Sequence, residues 1–176
     1  MKIEEEIQLA KQMYQKKRYG ESAELFKTIA LHFEEEGDYP IAAEMQNNAS
    51  VAFLMSGNAK LAYDMAKDTH KFFQNVGDEK NCGLALGNQA AALEHLGEKG
   101  MALELYTMAI THLENAGEEE SKAYILKRMS SLQVQQGKQL EALGSMTSAL
   151  NNLEELSGKE KILKKLTDFV MKLSSR

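Results

Sequence analysis

Four histidines, one cysteine and a scatter of carboxylates are the residues of this chain that could carry catalysis or hold a metal. His32, His70, His95 and His112 all lack a second histidine three or four places away, the spacing by which one helix face offers two imidazoles to zinc. Glu94 and His95 adjoin, and adjacent residues on a helix diverge by about 100°, so they do not form an acid–base pair. Cys82, being alone, makes neither an intramolecular disulfide nor a thiolate metal site. No phosphate-cradling loop, dinucleotide fingerprint or nucleophile elbow is present. The acidic runs Glu34 to Glu36 and Glu118 to Glu120 flank glycines and read as solvated helix-end charge rather than a calcium loop. The expectation is a protein that is not an enzyme, with no cofactor and no metal.

The elements that would position any site are helical. The chain has 176 residues, 43% of them hydrophobic, with a single proline and abundant Ala, Leu, Glu and Lys, a composition that favours one all-α domain. Its net charge of −5 opposes nonspecific nucleic-acid binding, which needs a basic footprint. No stretch approaches the roughly 20 apolar residues of a membrane span, and no apolar leader opens the chain. With the lone cysteine, these features lead to the expectation of a cytoplasmic protein.

Gly57, Gly97 and Gly137 stand 40 residues apart, and Gly37, Gly77 and Gly117 form a second ladder of the same period. Other columns fall in register. Phe33, Phe73, Leu113 and Leu153 are large; Ser22, Ala62, Ala102 and Ala142 are small, as are Ala10, Ser50, Ala90 and Ser130. Small residues let two helix axes approach, and large ones fill the space between successive hairpins. Leu86, Ala90 and Leu93, then Ala102, Tyr106, Ala109 and Leu113, keep helical steps of three and four. The pattern predicts nine helices, over 2–16, 19–36, 39–56, 59–76, 79–96, 99–116, 119–136, 139–156 and 159–174. They group into repeats at approximately 1–37, 38–77, 78–117 and 118–157, with a capping helix in 158–176.

The first glycine ladder suits the turn inside each hairpin and the second suits the position just past the second helix. Asp38, Asp78 and Glu118 follow as N-cap or first-turn charges. Phe33, Phe73, Tyr63, Tyr106, Met108 and Met146 are expected in the core. In the last helix Leu166, Phe169, Val170 and Leu173 repeat the apolar register of a first helix. They are expected to cover the end of the stack, with Lys161, Lys164, Lys165 and Lys172 toward water.

Leu86, Asn88, Ala90, Leu93, Gly97, Ala102, Tyr106 and Ala109 make the third unit resemble a tetratricopeptide repeat (TPR). Leu9, Ala10, Tyr19, Phe26 and Ala30 extend the likeness to the first unit, Asn48, Ser50, Phe53, Gly57 and Ala62 to the second, and Ser130, Gly137, Ala142 and Ala149 to the fourth. The unit departs from the usual 34 residues and lacks the tryptophan and closing proline. Its length resembles the 40-residue subclass of Pins-type adaptors, kinesin light chains and bacterial peptide-responsive regulators. The resemblance implies a right-handed superhelical solenoid of antiparallel helix hairpins whose first helices line a concave face.

On that face the resemblance places Gln8, Lys11 and Tyr14; Asn47, Asn48, Val51, Leu54 and Met55; Leu84, Asn88, Ala91, Glu94 and His95; and Tyr124, Lys127, Arg128, Ser131 and Gln135. Of these, Asn47, Asn48, Leu54, Asn88, Glu94, His95, Tyr124, Lys127 and Arg128 are the expected ligand contacts. Asn48 and Asn88 share a column and could bond a peptide backbone, or they could hold adjacent hairpins together. Arg128 continues that column and, with Lys127, could receive a carboxylate. Val51, Leu54 and Met55 read as groove or as core. The Lys, Asn, Asn, Lys, Arg clamp of chaperone adaptors is not matched. The corresponding positions hold Ile7, Lys11, Asn48, Glu44 and Asn47, or one repeat on Asn47, Val51, Asn88, Leu84 and Gly87. The expected function is non-catalytic capture of a protein or peptide in the groove, with homo-oligomerisation as the alternative; neither nucleic acid nor membrane is expected as a partner.

Overall fold

The computed structural model describes residues 2–153 and 155–174. Its helices are α1 (Ile3–Gln15), α2 (Tyr19–Glu35), α3 (Tyr39–Met55), α4 (Ala59–Ala66), α5 (Thr69–Asn75), α6 (Glu79–Leu96), α7 (Lys99–Asn115), α8 (Glu119–Gln135), α9 (Gln139–Asn151) and α10 (Gly158–Ser174). Glu154 of the helix expected over 139–156, Met1 of the first repeat, and residues 175 and 176 of the expected cap lie outside the described residues.

The glycine ladders work as a repeated stop signal. All six turn glycines sit in the left-handed region, with φ from +70° to +87°. The residue after each donates its N–H to a carbonyl five residues back: Asp38 to Phe33 at 2.8 Å, and Asp78 to Phe73, Glu98 to Leu93 and Glu118 to Leu113 at 2.9 Å. These bonds close Schellman turns, and the accepting residues are themselves buried, so turn and core fix one another. Asp78 Oδ1 then accepts from the Asn81 N–H at 2.9 Å and Asp38 Oδ1 from the Ile41 N–H at 3.4 Å, capping the next helices. Glu118 makes no such side-chain bond.

One turn lacks its glycine. Lys17, 40 residues before Gly57, adopts φ +61° in the same turn. A side chain there costs about 1–2 kcal/mol, partly offset by the stiffer unfolded chain. Lys17→Gly is expected to stabilise the protein by about 0.5–1 kcal/mol, read as a raised urea midpoint; an unchanged or lowered midpoint contradicts this.

The two small columns meet inside the hairpins. Every member is buried. Ser22 Oγ donates to the Ala10 carbonyl at 2.8 Å and Ser130 Oγ to the Ala142 carbonyl at 2.7 Å, so the first and fourth hairpins are pinned at their points of closest approach. Each helix packs mainly on its neighbours in sequence, and the core runs along the stack from Ala10 to Leu150.

Three departures have local causes. The helix expected over 59–76 breaks where Asp68 turns left-handed at φ +67°. Ala66 stands there in the column of Phe26, Tyr106 and Met146, so this turn lacks the large side chain that pins its counterparts. Aspartate tolerates the left-handed region, and the buried Thr69 hydroxyl donates to the Ala66 carbonyl at 2.9 Å. Met108, expected in the core, is 47% exposed. Its column otherwise holds Thr28, Asp68 and Ser148, which marks the outer face.

The third departure is at the C-terminal end. Ser157 occupies the column of Gly37, Gly77 and Gly117, so the glycine turn is missing and α9 stops at Asn151. Ser157 becomes the cap of α10 instead. Its Oγ accepts from the Glu160 N–H at 3.4 Å, and Glu160 Oε2 accepts from the Ser157 N–H at 2.9 Å, a capping box. The new entry changes which side of α10 meets the stack. Thr167 is buried, whereas Leu166, Phe169, Val170 and Leu173, expected to cover the end, all stand exposed. Among the described residues no helix is long and apolar enough to cross a membrane.

Candidate functional site

Residues three and four apart share a helix face, and stacking the hairpins aligns those faces across repeats. The result is a concave pocket of about 460 Å³. Tyr14 of α1, Val51, Leu54 and Met55 of α3, Leu84, Asn88, Ala91 and His95 of α6, and Glu120, Tyr124, Ile125 and Arg128 of α8 line it, all on first helices of the hairpins; Tyr106 of α7 joins them from a second helix. A second hollow of about 290 Å³ shares Tyr14 and Val51 and adds Lys11, Gln15, Phe26 and Asn48, extending the trough toward α1. Gly87 faces α8, where a Cβ would stand 2.8 Å from Ile125 Cδ1, the movable end of that side chain.

The wall is braced by a small polar network. Glu94 Oε2 accepts from the Tyr106 hydroxyl at 2.8 Å and from Arg128 Nη2 at 2.8 Å and Nε at 3.3 Å. It ties α6 to α7 and α8. The ion pair is largely withdrawn from water, with side-chain exposures of 16% for Glu94 and 25% for Arg128. Burial, and secondarily the Glu94 carboxylate, pushes the Tyr106 hydroxyl well above its ordinary value. Burial disfavours the Arg128 cation, but the hydrogen bond to Glu94, the neighbouring Tyr106, the hydrogen bond to Tyr124 and the Glu94 charge together outweigh it and raise its pKa. The trio thus acts as a brace between α6, α7 and α8.

The expected contact residues divide into two sets. Leu54, Asn88, His95, Tyr124 and Arg128 line the main pocket, and Asn48 lines the adjoining hollow. Asn47, Glu94 and Lys127 line neither. Asn88 Nδ2 donates to Oδ1 of the buried Asn47 at 3.1 Å, joining α6 to α3, so the amide's partner lies beside Asn48 in sequence and not in its column. The two cations expected to meet a ligand carboxylate are already paired, Arg128 with Glu94 and Lys127 Nζ with Glu160 Oε1 at 2.6 Å. What faces the pocket is mainly apolar, with polar groups on Asn88, His95 and Tyr124 and the exposed Glu120 carboxylate at its edge. Glu120, absent from the expected contacts, also lines the pocket, and the strict step of four through Glu120, Tyr124 and Arg128 is the sequence signal for it.

Glu160 stands where cap and ion pair converge. The hydrogen bond from Lys127, followed by those from Ser157, lowers its carboxyl to about 2, from an ordinary 4.5. A depressed carboxyl stabilises the docked state above its unfolded value, and that contribution fades as pH falls from about 4.5 through about 2. Protection of the first-turn amides of α10, taken relative to the intrinsic exchange rate at each pH, is therefore expected to fall over that acid interval, and Glu160→Gln is expected to show the reduced protection already at neutral pH. A variant with wild-type protection at neutral pH contradicts the assignment.

The architecture is that of a TPR-like repeat solenoid. Two crystal structures of a Podosopora anserina protein described as a putative kinesin light chain with nearly identical TPR-like repeats, one of them a glutamine-to-methionine variant, superpose with TM-scores of 0.71 and 0.70 at 13% identity. The variant covers 99% of this chain and 96% of its own, the other 99% and 97%. BtubC (BKLC) from P. vanneervenii matches with a TM-score of 0.62 at 14% identity, over 95% of this chain and 83% of its own. At such identities the likeness is one of fold. No protein-family model matches the chain, and no curated protein sequence does.

Proposed function

We propose that the protein is a non-catalytic interaction module that receives an amphipathic helix of a partner protein in the groove of α1, α3, α6 and α8. The observation that carries this reading is the pocket itself. Its walls come from successive repeats and are mostly apolar, and its buried charges satisfy one another before any ligand arrives. An apolar helix face laid along such a trough buries side chains at steps of three and four, while His95, Tyr124 and Asn88 offer orienting hydrogen bonds. The Glu94–Arg128 pair opposes an acidic ligand, because a ligand carboxylate would have to displace Glu94 from the two hydrogen bonds that Arg128 gives it.

Selection of a random peptide library on the immobilised full chain tests the reading. Enriched peptides are expected to be amphipathic, with apolar residues at helical spacing, and to lose affinity when Met55, exposed in the pocket wall, is replaced by glutamate. Enrichment of acidic, non-helical sequences, or peptides indifferent to Met55→Glu, overturns it.

A further inference from the structure

The last helix carries a face that no other described residue covers. Ile162, Leu166, Phe169 and Leu173 recur at steps of four, three and four, so they form one stripe along α10. They are exposed by 65%, 57%, 61% and 56%. The opposite side holds the helix in place through buried Thr167 and the Lys127–Glu160 bridge. A stripe of this kind left in water is the signature of a contact surface.

We propose that the stripe of α10 from one copy docks in the concave groove of a second copy, linking chains head to tail. The inference rests on the groove reading above and names one occupant for that groove. Three features of the molecule select it. The stripe supplies the ligand the groove suits, apolar side chains at helical spacing on a capped helix. The bridge and cap hold the start of α10 beside α8 while the stripe stays exposed, so the groove of its own chain does not take it. Charge then separates copy-to-copy docking from pairing of two α10 helices. Residues 157–176 carry six basic and two acidic residues, net +4, which leaves −9 on the remainder of a chain whose total is −5. Two α10 helices repel, with Lys165 beside the stripe, whereas α10 is attracted to a body of net charge −9. The trough itself presents exposed Glu120 on the α8 side and exposed Lys11 on the α1 side, which orients α10 with its lysines toward α8. Such a contact is heterologous, so it propagates into chains or closes into rings.

Sedimentation equilibrium on the full chain and two variants tests this. Ile162→Glu/Phe169→Glu alters only exposed positions of α10, and Met55→Glu alters the groove. Wild type is expected to rise in mean mass with concentration past the dimer. Each variant is expected to weaken self-association by more than about a hundredfold for the double and about tenfold for the single substitution. An equimolar mixture of the two variants is expected to restore one working contact and stop at a heterodimer. A wild type that stays monomeric overturns the proposal; if the selected peptides still bind its groove, the groove reading survives alone. Self-association lost in the α10 variant but intact in Met55→Glu overturns it in favour of α10 pairing. A monomeric wild type that binds anionic phospholipid vesicles through Phe169 overturns it in favour of a lipid surface.

Discussion

Tyr106→Ala is expected to destabilise the protein by about 3–5 kcal/mol. Tyr106 is 1% exposed, belongs to the core shared by α6, α7 and α8, and supplies one of the three hydrogen bonds on Glu94 Oε2. Truncation opens a cavity at the point where the groove wall meets the core. Tyr106→Phe keeps the ring and removes only the hydroxyl, and because Arg128 still holds Glu94 it is expected to cost about 1 kcal/mol. Urea unfolding of both variants separates packing from hydrogen bonding. An alanine variant within about 1 kcal/mol of wild type would show that the site collapses freely and that the brace is dispensable.

Gly83→Ala reverses the usual rule. Alanine in a helix interior is favoured over glycine by about 1 kcal/mol, yet a Cβ at Gly83 would stand 2.7 Å from Leu113 Cγ and 3.1 Å from the Ala109 carbonyl oxygen. Leu113 is fully buried and the carbonyl belongs to α7, so neither can step aside cheaply. Overpacking of this kind costs about 1–3 kcal/mol, and the net change is expected to be a loss. Gly87→Ala is the internal control. Its Cβ would meet only the end of the Ile125 side chain, at 2.8 Å, so stability is expected to stay near wild type. A Gly83→Ala variant with a raised urea midpoint would mean that α6 and α7 do not approach as closely as described.

Much of this was legible because repetition multiplies weak signals. A single glycine is ambiguous, but Gly37, Gly77 and Gly117 at one interval mark one stop, and the left-handed φ values at those positions are what the interval encodes. The small columns were equally clear, since Ala90 and Ala102 leave no alternative to close helix approach. Exceptions to the period were harder to weigh. Ala66 in a column of large residues and Ser157 in a column of glycines each signalled a departure, a broken helix and a differently phased α10, yet a periodic reading carries its pattern straight across them. The site was half legible. Register identified the face on which Leu54, Asn88 and Tyr124 lie, but the commitment of Arg128 to Glu94, and of Lys127 to Glu160, depends on side-chain reach across 34 and 33 residues of sequence. Composition places cations on a surface; only geometry says which of them are already taken.

Binding of partners at the concave face is tested by two matched substitutions. Met55 and Leu31 are each 51% exposed, the first in the pocket wall on α3 and the second on α2, outside the pocket-lining residues. Affinity of a selected helical peptide should be measured for wild type, Met55→Glu and Leu31→Glu. Met55→Glu is expected to raise Kd by about tenfold to a hundredfold, with Leu31→Glu at the wild-type value. An unchanged Kd for Met55→Glu would contradict binding at the concave face, and a weakened Leu31→Glu beside it would move the binding face to the second helices.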